Sequence, residues 1–215
     1  MGIEVKTRLM KKALDIAGSR SLKGAMRREA IVQECMHVLA IEGVVGLSYE
    51  VLAQRLKLSR AHVKYYFDSK EDLLQECFLK VAQIAQGLTI ETLKDRNTWQ
   101  ARLHGIADGA FRWAHENPQH MSILFIYYHY CTINPKLGQT QAQVRQEGRK
   151  RIEQILTAGA GKSLKPSVIA TFALDLQLYL TGLIVEAATT EQNLKTFHQA
   201  ATIYIDALIE KIESL

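Results

Sequence analysis

The sequence predicts an all-α protein of about nine helices. Apolar residues recur at helical spacing along nearly the whole chain. Runs of alternating β-branched residues bounded by Asn-Gly or Asp-Gly turns, the mark of strands, are nearly absent. Helix-start residues also punctuate the chain, with Ser48, Ser59, Ser69 and Thr98 followed by Pro118, Pro135 and Pro166.

The first clear helix is predicted over Arg28 to Ile41. Ile31, Cys35 and the pair Val38 and Leu39 share one face, and Gly43 follows as a stop. Residues 1–23 are read as a basic arm. Ser48 then caps a two-turn helix from Tyr49 to Leu56, and Ser59 caps another from Arg60 to about Phe67. Asp68 and Ser69 each precede an acidic residue by three positions, Glu71 and Asp72, which is capping-box spacing ahead of a long helix from Lys70 to about Asp95. Further helices are expected to start near Thr98, Gln119, Pro135 or Gln139, Lys165 and Glu191.

The chain has 215 residues, 47% of them hydrophobic and 23% charged, a globular composition. Its three cysteines, Cys35, Cys77 and Cys131, form no C-x-x-C pair, which argues for a reducing compartment rather than a disulfide framework. No secretory leader is recognised at the start. Met121 to Ile133, read as the most apolar stretch, falls short of the ~20 residues a span needs. A cytoplasmic protein away from membranes is expected. Charge is uneven: residues 1–70 hold 13 Lys and Arg against 7 Asp and Glu, whereas residues 71–215 hold 14 against 15. An anionic partner is therefore expected for the N-terminal third alone, nucleic acid first and anionic lipid second.

Two short helices joined by Lys57, Leu58 and Ser59 match the helix-turn-helix pattern, whose second helix enters the major groove. Leu52, Leu56, Leu58, Val63 and Tyr66 supply apolar contacts, and Ala53 lets the helix axes approach. At 100° per residue, Val63, Tyr66 and Phe67 share an inward face, leaving Ala61, His62, Lys64 and Tyr65 outward. Lys70 adds a separate argument. A cation in the first turn of a helix opposes the macrodipole and becomes favourable where a phosphate binds. The competing interpretation is two ordinary core helices with a solvated face.

Around these residues the sequence resembles the TetR family of transcriptional repressors. The match runs from about Arg28 to Leu74 through Glu42-Gly43, Ser48, Leu52-Ala53, Leu58-Ser59 and Val63, and its most specific part is Y-Y-F-x-S-K-E-x-L-L from Tyr65 to Leu74. Lys57 stands where the family usually has Gly, so a left-handed residue with a Cβ is expected there. Lys64 stands where the family commonly has a phosphate-holding Tyr. The resemblance implies that Tyr65 and Lys70 grip the DNA backbone and that residues near Arg60 to His62 read bases. The candidate DNA contacts are Ser48, Tyr49, Ser59, Arg60, Ala61, His62, Lys64, Tyr65 and Lys70. Lys23, Arg27 and Arg28 are looser phosphate candidates.

In the second half, the last two helices are apolar on two faces and so are either buried or shared with a partner. The resemblance implies a homodimer built from them, with Leu180, Ile184, Phe197, Ala201, Tyr204 and Leu208 as candidate interface residues; Ile203, Ile205 and Ile209 lie off the main stripe of the last helix. The aromatic supply there either fills the core or lines a cavity. The resemblance, with the polar tips of Tyr128, His129 and Tyr179, favours a pocket for a small, largely apolar molecule, with Phe111, Phe125, Tyr128, His129, Phe172, Leu176 and Tyr179 as candidate lining.

Other motifs read as structural. Gly159 to Ser163, Gly-Ala-Gly-Lys-Ser, has Leu156 where a phosphate loop needs Gly, and is expected to be an interhelical loop. His115 and His120, in HENPQH, lack ligand spacing, so no metal is expected. No catalytic constellation or cofactor site is recognised. The expected organisation is an arm (1–23), a helix-turn-helix DNA-binding domain (24–76) and a larger helical ligand-binding and dimerisation domain (77–215). The expected function is a repressor released from its double-stranded operator by a small hydrophobic ligand. A ligand-independent DNA-binding or architectural protein of the same fold is the first alternative, and an all-α enzyme the second.

Overall fold

The structure, a computed structural model, describes residues 22–160, 164–190 and 193–215. These residues form nine helices and no strand. Two compact units are present, one ending at Phe78 and the other beginning at Leu79. The arm expected over 1–23 lies almost wholly outside the described residues.

In the first unit, α1 (Leu22–Gly46) begins a turn and a half before the predicted Arg28. Its fully buried face is Ile31, Cys35 and Val38. Gly43 breaks its helical geometry with φ 65°, a left-handed value at which only glycine is free of Cβ strain. Both short helices have the predicted bounds at their starts: α2 is Tyr49–Leu56 and α3 is Arg60–Tyr66. Phe67, expected inside α3, is instead extended just past it and 2% exposed. Full burial of a Leu or Val side chain contributes about 1.5–3 kcal/mol, against about 1–2 kcal/mol for ordering each residue's backbone. A helix such as α2, which buries only Leu52 and Ala53, is thus held by its neighbours rather than by itself.

The turn between them is a Schellman motif. Lys57 adopts φ 54°, ψ 44°, its N–H donates to the Gln54 carbonyl at 3.2 Å, and the Leu58 N–H donates to the Ala53 carbonyl at 2.8 Å. Long-range ties close the unit. Arg28 Nη1 donates to Glu76 Oε2 at 2.7 Å while its guanidinium lies 4.6 Å from the Phe67 ring centre. Arg55 reaches from α2 to Glu34 and Glu42 on α1, but these pairs are exposed and contribute little, whereas removing one partner of the more buried Arg28–Glu76 pair would strand a charge and cost more.

α4 runs Lys70–Leu93 and crosses the boundary of the two units. The second unit adds α5 (Trp99–Glu116), α6 (Gln119–Ile133), α7 (Pro135–Ala160), α8 (Pro166–Thr189) and α9 (Leu194–Glu213). The last starts later than Glu191 because Asn193 is its cap, its Oδ1 accepting the Lys195 N–H at 2.9 Å. Gly159 is helical, not looped: a Cβ there would lie 2.0 Å from Trp99 Cγ, so glycine lets the indole sit against α7. The rest of the expected loop, 161–163, lies outside the described residues.

α8 corrects two expectations. By length and composition alone it could cross a membrane, which makes it more apolar than the stretch Met121 to Ile133. Its Ile169, Phe172, Ala173, Leu176 and Leu180 pack instead into the core of the second unit. Leu180, Phe197, Ala201 and Leu208, expected at a dimer interface, are buried in that same core, with Ile184 and Tyr204 packed against it. They point inward because α8 and α9 pack on each other and on α5. The apolar side chains these two helices expose are Leu178 and Ile203, 55% and 70% exposed.

Candidate nucleic-acid interface

Each end of α3 is fixed by local chemistry. Ser59 Oγ accepts the His62 N–H at 3.2 Å, satisfying a donor that the first turn leaves free. Ser48 does the same for α2 through the Val51 N–H at 3.1 Å. At the far end of α3, Tyr49 Oη donates to the Phe67 carbonyl at 3.0 Å, tying α2 to the chain that leaves α3. Burial, and then Asp72, Glu71 and Asp68 around it, push the Tyr49 phenol above its ordinary value and keep it a donor. Ser48 and Tyr49 therefore position α3, and the structure occupies their polar atoms with backbone.

Helical periodicity then divides the side chains of α3. Val63 is wholly buried, while Arg60, Ala61, His62, Lys64 and Tyr65 are exposed. Tyr65 is 76% exposed, its ring meeting that of Tyr66 edge-on at 5.2 Å. A helix of seven residues is about 10 Å long, short enough to lie in a major groove about 12 Å wide. The exposed face offers a guanidinium, an imidazole, an ammonium and a phenol, so donors and acceptors are both present for base edges and phosphates. Arg60 is not idle, since its Nε donates to Glu50 Oε1 at 2.8 Å. That pair is exposed and contributes at most about 1 kcal/mol, so an anion could displace Glu50 at small cost. Ser59 Oγ lies 3.4 Å from His62 Nδ1, which orients the imidazole.

Lys70 has a second occupation that sequence reading missed. Its Nζ donates to the Leu47 carbonyl at 2.8 Å, anchoring the residue before the α2 cap. One of its three N–H donors is used in this way. Of the two possible capping boxes, Ser69 and Asp72 form one: the Asp72 N–H donates to Ser69 Oγ at 3.0 Å and Ser69 Oγ donates to Asp72 Oδ2 at 2.7 Å. Arg28 is committed to Glu76 and Phe67 as described, leaving Arg27 and Lys23 as the exposed cations at the start of α1.

The residues expected to line a ligand pocket sit in different settings. Phe111, Phe172 and Leu176 are packed in the core of the second unit. Tyr179 stacks on Tyr204 with ring centres 4.2 Å apart. On α6, Phe125 and Tyr128 are half-buried and His129 is exposed beside Tyr130. His120 is buried and its Nδ1 accepts from Trp113 Nε1 at 3.2 Å, and burial lowers its pKa from the ordinary 6.5, so the ring is neutral.

No protein-family sequence model matches the chain, and no curated protein matches it by sequence. Solved structures do. A TetR transcription regulator from Haloarcula marismortui superposes with a TM-score of 0.75 at 20% identity, over 85% of this chain and 98% of that one. A transcriptional regulator from Saccharomonospora viridis, in complex with choline, gives 0.74 at 18% identity over 85% of this chain and 96% of that one. The TetR family regulator PfmR from Thermus thermophilus gives 0.60 at 20% identity over 82% and 94%. With so little identity the likeness is one of fold, and the chain has the all-helical fold of TetR-type transcriptional regulators.

Proposed function

We propose that the protein is a sequence-specific, DNA-binding transcriptional regulator of the cytoplasm, a repressor that binds its operator as a homodimer and is released by a small molecule. The observation that carries this reading is α3 itself. A capped two-turn helix follows a Schellman turn and holds Arg60, His62, Lys64 and Tyr65 in solvent, in the part of the chain that carries the excess of positive charge. A core helix would have no use for that face.

The homodimer is supported by Leu178 on α8 and Ile203 on α9, apolar side chains left in solvent by helices that otherwise bury theirs. A twofold dimer would present two α3 helices to half-sites about 34–36 Å apart. A small-molecule signal is supported by the choline-bound neighbour of the same fold. A ligand can release DNA only through its different affinity for the two states, and moving a population from mostly bound to mostly released takes about 5.5 kcal/mol of such difference.

The ligand-independent regulator remains the second reading, and the packing of Phe111, Phe172 and Leu176 into the core favours it. Fluorescence anisotropy with a selected operator tests the first. A His62→Ala/Lys64→Ala double variant should lose about 1–3 kcal/mol of affinity for each base contact removed while keeping its helicity. Unchanged operator binding by that variant would dismiss α3 as the reading helix.

A further inference from the structure

Arg145 lies on α7 and is pinned to α8 at both its head and its backbone. Its Nη1 donates to Thr181 Oγ1 at 2.7 Å, its carbonyl accepts from Gln177 Nε2 at 2.9 Å, and Thr181 Oγ1 donates to the Gln177 carbonyl at 2.7 Å. The guanidinium is half-buried, yet among the described residues no carboxylate forms an ion pair with it. Of the other half-buried arginines, Arg28 has Glu76 and Arg96 has Asp108, while Arg151 on the same helix forms no ion pair but has the opposing charge of Glu147 acting on it, which Arg145 lacks. Burial lowers its pKa, Tyr128 of α6 favours the cation, and Arg149, one turn along α7, adds to the lowering. Removing a guanidinium from water without a counter-charge is costly, and among the described residues of the second unit no carboxylate pairs with it.

One turn earlier on the same face of α7, Gln141 Oε1 is buried without a hydrogen-bond partner. An acceptor left in this state costs about 1–3 kcal/mol. The two residues are four apart on α7, so their backbones are separated by about one turn, ~6 Å of rise. Each defect calls for the complement the other does not: an anion at Arg145, an N–H or O–H donor at Gln141. The guanidinium fork matches carboxylates and phosphates alike, but one cation neutralises a single carboxylate and would leave a doubly charged phosphate half-neutralised.

We propose that the second unit binds a small monocarboxylate between α6, α7 and α8, its carboxylate on Arg145 and Thr181 and a hydroxyl or amine on Gln141 Oε1, one helical turn earlier on α7. This rests on reading that unit as the small-molecule domain, and it replaces the largely apolar ligand expected from the sequence with an anionic one. Thr181 would give up the Arg145 hydrogen bond it now accepts, or turn its own hydroxyl donor to the carboxylate.

Isothermal titration of the full chain with 4-hydroxybenzoate, benzoate, 4-hydroxybenzamide and inorganic phosphate tests the assignment. The expected order is 4-hydroxybenzoate tighter than benzoate, with no binding of the amide. Arg145→Met should weaken both carboxylates at least about tenfold, and Gln141→Leu should abolish only the advantage of the hydroxyl. Arg145→Lys, which keeps the charge without the fork, should bind at an intermediate level, and thermal melts of the free variants check that each is folded. Binding of neither carboxylate, equal binding by Arg145→Met, or Arg145-dependent binding of phosphate in their place would overturn the proposal. An operator-binding assay run in parallel separates this site from the release reading. Arg145-dependent binding of 4-hydroxybenzoate with operator affinity unchanged leaves the site standing and refutes release. Release by a neutral apolar molecule, with no carboxylate bound, does the reverse.

Discussion

Replacing Lys57 with glycine should stabilise the first unit. Lys57 is the sole non-glycine residue with positive φ among the described residues, at φ 54° and ψ 44°. In that conformation the Cβ crowds the following carbonyl at a cost of about 1–2 kcal/mol, which glycine avoids. Glycine also loosens the unfolded chain, which returns about 0.4–1 kcal/mol of that gain. The Lys57 side chain is exposed, so little packing is lost. Lys57→Gly should therefore gain about 0.5–1 kcal/mol, and Lys57→Ala, which keeps the Cβ, should stay within about 0.5 kcal/mol of the parent. For a unit of this size each kcal/mol moves the thermal midpoint by about 4–8 °C. Far-ultraviolet circular dichroism reports the change, and tryptophan fluorescence serves as an internal control because both tryptophans, Trp99 and Trp113, belong to the second unit. A glycine variant no more stable than the alanine variant would refute the strain argument.

Three other outcomes follow from particular contacts. Lys70→Ala should lower the log–log salt slope of operator binding by about one unit and cost about 0.5–1.5 kcal/mol of stability through the lost Leu47 hydrogen bond; an unchanged slope in a destabilised variant would leave Lys70 a purely structural anchor. Gly159→Ala should destabilise the second unit by about 1–3 kcal/mol in urea melts, since the new methyl meets the Trp99 ring. His120 has a folded pKa below its unfolded 6.5, so its contribution to stability is complete above pH 6.5 and is lost as pH falls through that value towards the folded pKa. His120→Gln, which does not titrate, should flatten that part of the stability–pH curve, and a curve of unchanged slope would place the pH dependence elsewhere.

What could be read from the sequence was what is decided locally. Ser48 and Ser59 sit one residue from the helices they cap, and the inward set of α3 follows from the angle between neighbours. Gly43 announces the break in α1 because the conformation demands glycine; Lys57 announces nothing, and only comparison with the usual family residue suggested its left-handed turn. Contacts between distant residues were not legible. Arg28 and Glu76 are 48 positions apart, and nothing in either neighbourhood distinguishes a packed arginine from a phosphate-binding one. α8 and α9 show why the burial of four interface candidates, Leu180, Phe197, Ala201 and Leu208, could not be read from the sequence. Two apolar faces on one helix are visible in the sequence, but which of them meets the rest of the same chain depends on packing, and the longer stripe through Leu180 and Leu208 turned inward while Leu178 and Ile203 stayed outside. The same holds for aromatic residues, since Phe111 and Phe172 look alike in a core and in a pocket. Arg145 and Gln141 drew no attention because an unpaired charge is defined by what is missing around it.

The central claim is that α3 reads base pairs, and selection of bound duplexes from a random pool by the full chain tests it most directly. The account predicts enrichment of a near-palindrome whose half-sites are centred about one helical turn, ~34–36 Å, apart. It also predicts that His62→Ala/Lys64→Ala loses preference at particular positions of each half-site, while Arg27→Ala weakens all sequences alike. A pool that remains unenriched, with binding that depends on salt but not on sequence, would contradict the account.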